Sequence, residues 1–154
     1  MLQNNVTDHV ELECVFLCDK TGTLSLITDK KNIITVPVST LKKVVDARKI
    51  NYADIDVVKI NARGEEFDVI RGGAHMWKSI KDVIIHFAPE ALKKAGENPV
   101  QMLYYITNYE YQCYYMEKKT KKGVEEWPND QDCISFEEFH AVVKNSNTNV
   151  WCSK

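Results

Sequence analysis

Two short runs are apolar on both faces: Ile55-Asp56-Val57-Val58-Lys59-Ile60 and Asp82-Val83-Ile84-Ile85-His86-Phe87. A strand with one wet face alternates polar and apolar residues, whereas a parallel strand covered by helices on both sides reads as a nearly unbroken apolar run. Between the two runs, beyond Gly64, the residues Phe67, Ile70, Ala74 and Trp77 recur at helical spacing, with Glu65 and Glu66 in the first turn. Carboxylates there favour the helix dipole, so they carry no functional implication by themselves. Strand, turn, helix and strand in that order specify a βαβ unit, hence an α/β domain with a largely parallel sheet. Gly72 and Gly73 are expected to interrupt the helix.

The flanking segments extend this reading. Val10, Leu12, Cys14, Phe16 and Cys18 alternate with other residues, Asp19-Lys20-Thr21-Gly22 breaks the run, and Thr23 to Thr28 resumes it, which predicts an N-terminal β-hairpin. A third extended run, Asn32 to Val38, contains Pro37, which cannot donate to a ladder and so marks an edge or a strand exit. Ser39 or Thr40 caps a helix through Leu41, Val44 and Val45 that ends near Arg48 and Lys49. Ala88-Pro89-Glu90 ends the second core strand, and Asn98 with Pro99 opens a helix through Val100, Leu103 and Ile106. Tyr109, Tyr111, Cys113 and Tyr115 fall on one face of a later strand, where sheet packing explains them better than a substrate pocket or an interface. Ser135 and Glu138 form the capping box of a last helix through Phe139 and Val142 or Val143, and Asn149 to Ser153 closes the chain as a strand in a C-terminal antiparallel hairpin.

The 154 residues fit one domain, 1–154. A net charge of −2 and a pI near 6.1 leave no overall basic field, so no nucleic-acid partner is expected. The run Lys118-Lys119-Thr120-Lys121-Lys122 ends at Gly123 and reads as a solvated loop tip. No stretch is an apolar twenty-mer, so no membrane span is expected. Met1 to Cys14 contain no basic segment followed by an apolar core, which makes an intracellular, reducing compartment the default. Five cysteines, Cys14, Cys18, Cys113, Cys133 and Cys152, include no C-x-x-C pair, so neither zinc nor a disulfide framework is expected. Cys14 and Cys18 read as small hydrophobes on one strand face. His9, His75 and His140 lack the spacing of a metal-binding helix, and no metal is predicted.

In open α/β sheets, ligands sit beyond the carboxyl ends of the strands. Two stretches qualify here: Asn61 to Gly64, and His86 to Glu90. Together with Val36-Pro37-Val38-Ser39-Thr40-Leu41 and the later aromatic strand, these stretches resemble the FkbM family of S-adenosylmethionine-dependent methyltransferases over roughly Val10 to Tyr115. The resemblance implies a partial Rossmann-like methyltransferase sheet flanked by helices. It also implies O-methyl transfer from S-adenosylmethionine to a small or carbohydrate-like acceptor. By the same resemblance Asn61, Arg63 and His86 occupy catalytic positions and Gly64 lines the cofactor site.

Those positions depart from the family pattern in one direction. The family has K-x-D-x-E-G-x-E where this chain has Lys59-Ile60-Asn61-Ala62-Arg63-Gly64-Glu65-Glu66, and an acid where it has His86. Lys42 and Lys43 likewise stand where acids are common. An ionised carboxylate accepts hydrogen bonds and can take a proton; an amide is no base and a guanidinium only donates. The six glycines form no G-x-G cluster, so the cofactor loop and the family's first two strands are expected to be missing from the domain. The expectation is a domain inactive as an isolated chain, which does not itself bind S-adenosylmethionine. The alternative is a non-catalytic interaction module or a truncated gene product.

Other residues have plainer readings. Lys59 reads as a strand-end residue reaching solvent rather than a catalytic amine. His86 reads as a hydrogen-bonded interior histidine rather than a proton shuttle. The absent central strand leaves one edge of Ile55 to Ile60 open, and open apolar edges recruit partners. Two outcomes follow: Val10 to Cys18 shifts across to pair with that edge, which is the favoured one, or the chain self-associates through it.

Overall fold

The computed structural model describes residues 10–28, 31–116, 119–121, 124–126 and 147–154. Its strands are β1 (Phe16–Leu17), β2 (Gly22–Ile27), β3 (Ile33–Ser39), β4 (Val57–Ile60), β5 (Asp82–Phe87), β6 (Gln112–Met116), β7 (Lys119–Lys121), β8 (Val124–Glu126) and β9 (Thr148–Ser153). The α-helices are α1 (Leu41–Ala47), α2 (Glu66–Gly73), α3 (Pro89–Lys94) and α4 (Pro99–Thr107). The strands form a three-stranded sheet in the order β1-β3-β2, a four-stranded sheet in the order β4-β5-β9-β6, and the β7-β8 pair. The βαβ unit is present: β4 and β5 are parallel, with Val58 opposite Val83 and Ile60 opposite Ile85. The C-terminal strand β9 runs antiparallel between β5 and β6. No helix among the described residues is long and apolar enough to cross a membrane.

The core lies where one face of the four-stranded sheet meets α2 and α4. Ile70, Trp77, Ile85, Leu92, Met102 and Ile106 are fully buried there, each worth about 1.5–3 kcal/mol relative to exposure. Two aromatic side chains bring polar tips into this interior, and both are satisfied. Trp77 donates its indole N–H to the Ile70 carbonyl at 2.7 Å, and Tyr111 donates its hydroxyl to the carbonyls of Trp77 at 3.0 Å and Ile80 at 2.5 Å. The caps match expectation: Thr40 accepts from the Lys43 N–H, and Asn98 accepts from the N–H groups of Val100 and Gln101.

Several expectations are corrected. The hairpin is β2–β3, not Val10–Cys18 with Thr23–Thr28; β1 is two residues long and pairs parallel with β3. Pro37 lies within β3, the middle strand, opposite Thr23. β1 begins only at the Phe16–Val38 pair, so no ladder partner stands beside the missing N–H. Helix α2 runs through Gly72 and Gly73 and breaks at Ala74, whose φ is 46°. Both glycines serve close packing: a Cβ on Gly72 would lie 2.3 Å from the Cys18 carbonyl oxygen, and one on Gly73 would lie 2.3 Å from the Trp77 ring. Tyr109 belongs to the turn after α4 and packs edge-on against Tyr105, so the aromatic strand starts later than expected.

The cysteine reading is overturned. Cys113 and Cys152 face each other in the β6–β9 register and form a disulfide. Disulfides persist in oxidising surroundings, which removes the ground for a reducing compartment as the default. Cys18 is buried as expected, but Cys14 is exposed and outside any strand. The expected last helix, with His140, lies outside the described residues, as do His9 and the tip at Lys122 and Gly123.

The strand shift across to β4 does not occur. β1 pairs with β3, and among the described residues no strand pairs with the outer edge of β4. Val58 and Ile60 turn one face of β4 inward, whereas Val57, 51% exposed, and Lys59 leave the other face open, so only one of the two faces expected to be covered is covered.

Candidate functional site

The segment after β4 turns sharply before α2, and three features fix that turn. Arg63 has a φ of 51° and Gly64 a φ of 112°. A Cβ on Gly64 would also lie 2.9 Å from the Ala91 carbonyl oxygen, so both conformation and space require glycine. Glu66, fully buried in the first turn of α2, reaches back to accept from the N–H groups of Ala62 at 2.9 Å and Gly64 at 2.8 Å. A carboxylate in this place offers acceptors only, so it matches the donors that the turn leaves unpaired. By sequence Glu66 is one of the acids that favour the helix dipole, and its role as a clamp is signalled only by its place two residues beyond a turn glycine.

Alongside the turn lies a cleft of about 350 Å³, between β1 and β4. Val15, Phe16 and Leu17 form one wall; Val58, Lys59 and Asn61 form much of the other, with Glu65 at the helix entry. The two walls carry the edge strands of two sheets, and among the described residues neither edge is paired across the gap. Burial, aided by the nearby Asp68 charge, pushes the Glu65 carboxyl above its ordinary value.

The candidate residues are brought only partly together. Asn61 lines the cleft; Arg63 is exposed on the turn; Gly64 is buried against α3. His86 is half-buried in β5, with Nδ1 3.4 Å from the Asn149 side-chain oxygen on β9, consistent with an interior hydrogen-bonded histidine. The β4–β5 register continues Ile60–Ile85 toward Asn61 and His86, which places both at the same end of the sheet. Lys59 is exposed, and Lys42 pairs with Asp46 at 2.5 Å on α1.

A charged cluster at the far side of α2 was not anticipated. Arg71 donates to Glu97 at 2.6 Å and to Asp68, and its guanidinium carbon lies 4.2 Å from the Phe67 ring centre. Hydrogen bonding to Glu97, then to Asp68, holds the guanidinium well above the usual arginine value. Cys18, Asp19 and Asp68 come within 4.8 Å of one another beside it. Arg71 answers these acids directly, lying 3.7 Å from Asp19. No spacing rule connects Asp19, Asp68, Arg71 and Glu97 in sequence.

Compared with known proteins, residues 8–113, more than half of the chain, match the family model described as the Methyltransferase FkbM domain. No curated protein and no solved structure matches the chain.

Proposed function

Because the chain belongs to the FkbM methyltransferase family, we propose that it keeps the family's βαβ architecture without its catalysis. The family reaction is S-adenosylmethionine-dependent O-methyl transfer to a small or carbohydrate-like acceptor; as this chain alone, the protein does not carry it out. One observation carries the reading: the polar residue at the cleft end of β4 is Asn61, an amide, where a base would stand. Arg63 and His86 complete the change from acids to donors or neutral groups at the family positions.

The residues around the cleft do not fit the cofactor. S-adenosylmethionine requires backbone N–H groups from a close glycine turn for its carboxylate and an acid for its ribose hydroxyls, by the logic of nucleotide sites. Gly64 packs against Ala91, and its N–H is taken by Glu66. Asp19, near the end of β1, faces Arg71. Burial raises the Glu65 carboxyl above its ordinary value, and most of the remaining lining is apolar. No step is therefore assigned through the cofactor. Calorimetric titration of the chain with S-adenosylmethionine is expected to show no saturable heat, and a micromolar dissociation constant would sink the proposal.

A second reading, an interaction module, is favoured by two strand edges that face each other across the cleft and have no partner there among the described residues. An extended segment of another chain would pair with β4 there by strand addition, its apolar side chains meeting Phe16, Leu17 and Val58.

A further inference from the structure

We propose that the chain forms a two-fold dimer through the free edge of β2. β2 is the outer strand of its sheet, and among the described residues nothing pairs with its other side. Edge strands are ordinarily protected by charges, proline or bulges. Gly22-Thr23-Leu24-Ser25-Leu26-Ile27 has no charged residue and no proline, and pairs with β3 without a bulge over its whole length. By contrast β4 carries Lys59, and β1 stands across its cleft, where a folded second copy would meet that wall.

The register of the dimer follows from the ladder inside the protein. The Thr28 N–H donates to the Asn32 carbonyl at 2.9 Å, so Thr28 bonds toward β3. Bonding alternates along an antiparallel pair, which turns Leu26, Leu24 and Gly22 toward β3 and leaves Thr23, Ser25 and Ile27 with backbone groups directed outward. An antiparallel mate must bring outward residues opposite outward residues. Two identical edges do so about Ser25: Ser25 meets Ser25 of the second copy, Thr23 meets Ile27, and Leu24 meets Leu26. Leu24 lies beside Val36, and Leu26 beside Ile34, on one face of the hairpin. The pairing would therefore join two apolar stripes into one, in which Leu26 (37%) and Ile34 (44%) are now exposed.

The second copy is the occupant that this edge fits best. Its uncharged strand offers nothing to attract a charged partner and sets no like charges against each other in a self-pair. A six-residue edge makes a small interface, at the low end for specific complexes, so a weak, concentration-dependent dimer is expected.

Sedimentation equilibrium of the full chain, without reductant, is the test, from about 1 to about 300 µM. The expected result is a closed monomer–dimer equilibrium. Ser25 is exposed, so Ser25→Lys and Ser25→Glu leave the fold intact, as circular dichroism checks. Each variant alone places like charges across the axis and should associate at least about fivefold more weakly than the parent. An equimolar mixture of the two should recover association, because only a self-pair about Ser25 sets lysine against glutamate. A chain that stays monomeric throughout, open-ended association, or a mixture no stronger than its components would each overturn the proposal. None of these outcomes depends on whether S-adenosylmethionine binds.

Discussion

Glu66 shows how one side chain can hold a turn whose sequence looks like a degenerate active site. Its carboxylate satisfies two donors, the part-buried N–H of Ala62 and the buried N–H of Gly64, from within the first turn of α2. Glu66→Ala strands both donors and leaves a cavity, at about 1 to 3 kcal/mol for each unsatisfied group. Urea denaturation should therefore show a loss of roughly 2 to 4 kcal/mol; a loss below about 0.5 kcal/mol would mean that water replaces the carboxylate. Its neighbour behaves oppositely. Burial raises the folded-state pKa of Glu65 above its ordinary value of 4.5, so folding favours the protonated acid. The ionised group thus opposes folding once the pH exceeds that range, and the penalty vanishes below it. Glu65→Gln should raise the melting temperature at pH 7 and leave it unchanged near pH 3, and equal effects at the two pH values would contradict the burial argument.

At the scale of elements, the β6–β9 pair depends on chain closure as well as on hydrogen bonds. The disulfide joins positions 39 residues apart and spans the whole excursion from β6 to the C-terminal strand. On chain-entropy grounds a loop of that length contributes about 4 kcal/mol. Replacing Cys113 and Cys152 together by serine should lower the melting temperature by roughly 10 °C. The β5–β9 ladder does not itself contain the cross-link, so it is expected to survive the double substitution with the far-ultraviolet circular dichroism at 25 °C unchanged; a collapsed spectrum would show that the cross-link is required for folding itself. Helix α2 teaches a related lesson about glycine. Gly72 and Gly73 lower helix propensity, yet the helix includes them because Cys18 and Trp77 must approach its backbone closely.

Across the whole molecule, burial is uneven. The four-stranded sheet holds Val83, Ile85 and Val150 fully buried, whereas the β2–β3 hairpin leaves Ile27 77% and Ile33 71% exposed. Local opening is easiest where few apolar contacts are lost. Amides of β3 should accordingly exchange with deuterium at least about tenfold faster than those of β5 under native conditions, and equal protection would indicate that something covers the hairpin. What the sequence determined by itself was local or periodic: the βαβ unit, the caps at Thr40 and Asn98, β5 to the residue, and the family, because the linked motifs around Asn61 and His86 are contiguous. Backbone periodicity and capping act over a few residues, so they are written in the order of the chain. The tertiary structure decided the rest. It matched Cys113 to Cys152, gathered Asp19, Asp68 and Glu97 around Arg71, turned Glu66 into a clamp, and gave β1 to β3 rather than to β4. Each of these joins residues by register or packing across distances at which sequence carries no fixed spacing, and there the partner is chosen by what else the fold must bury.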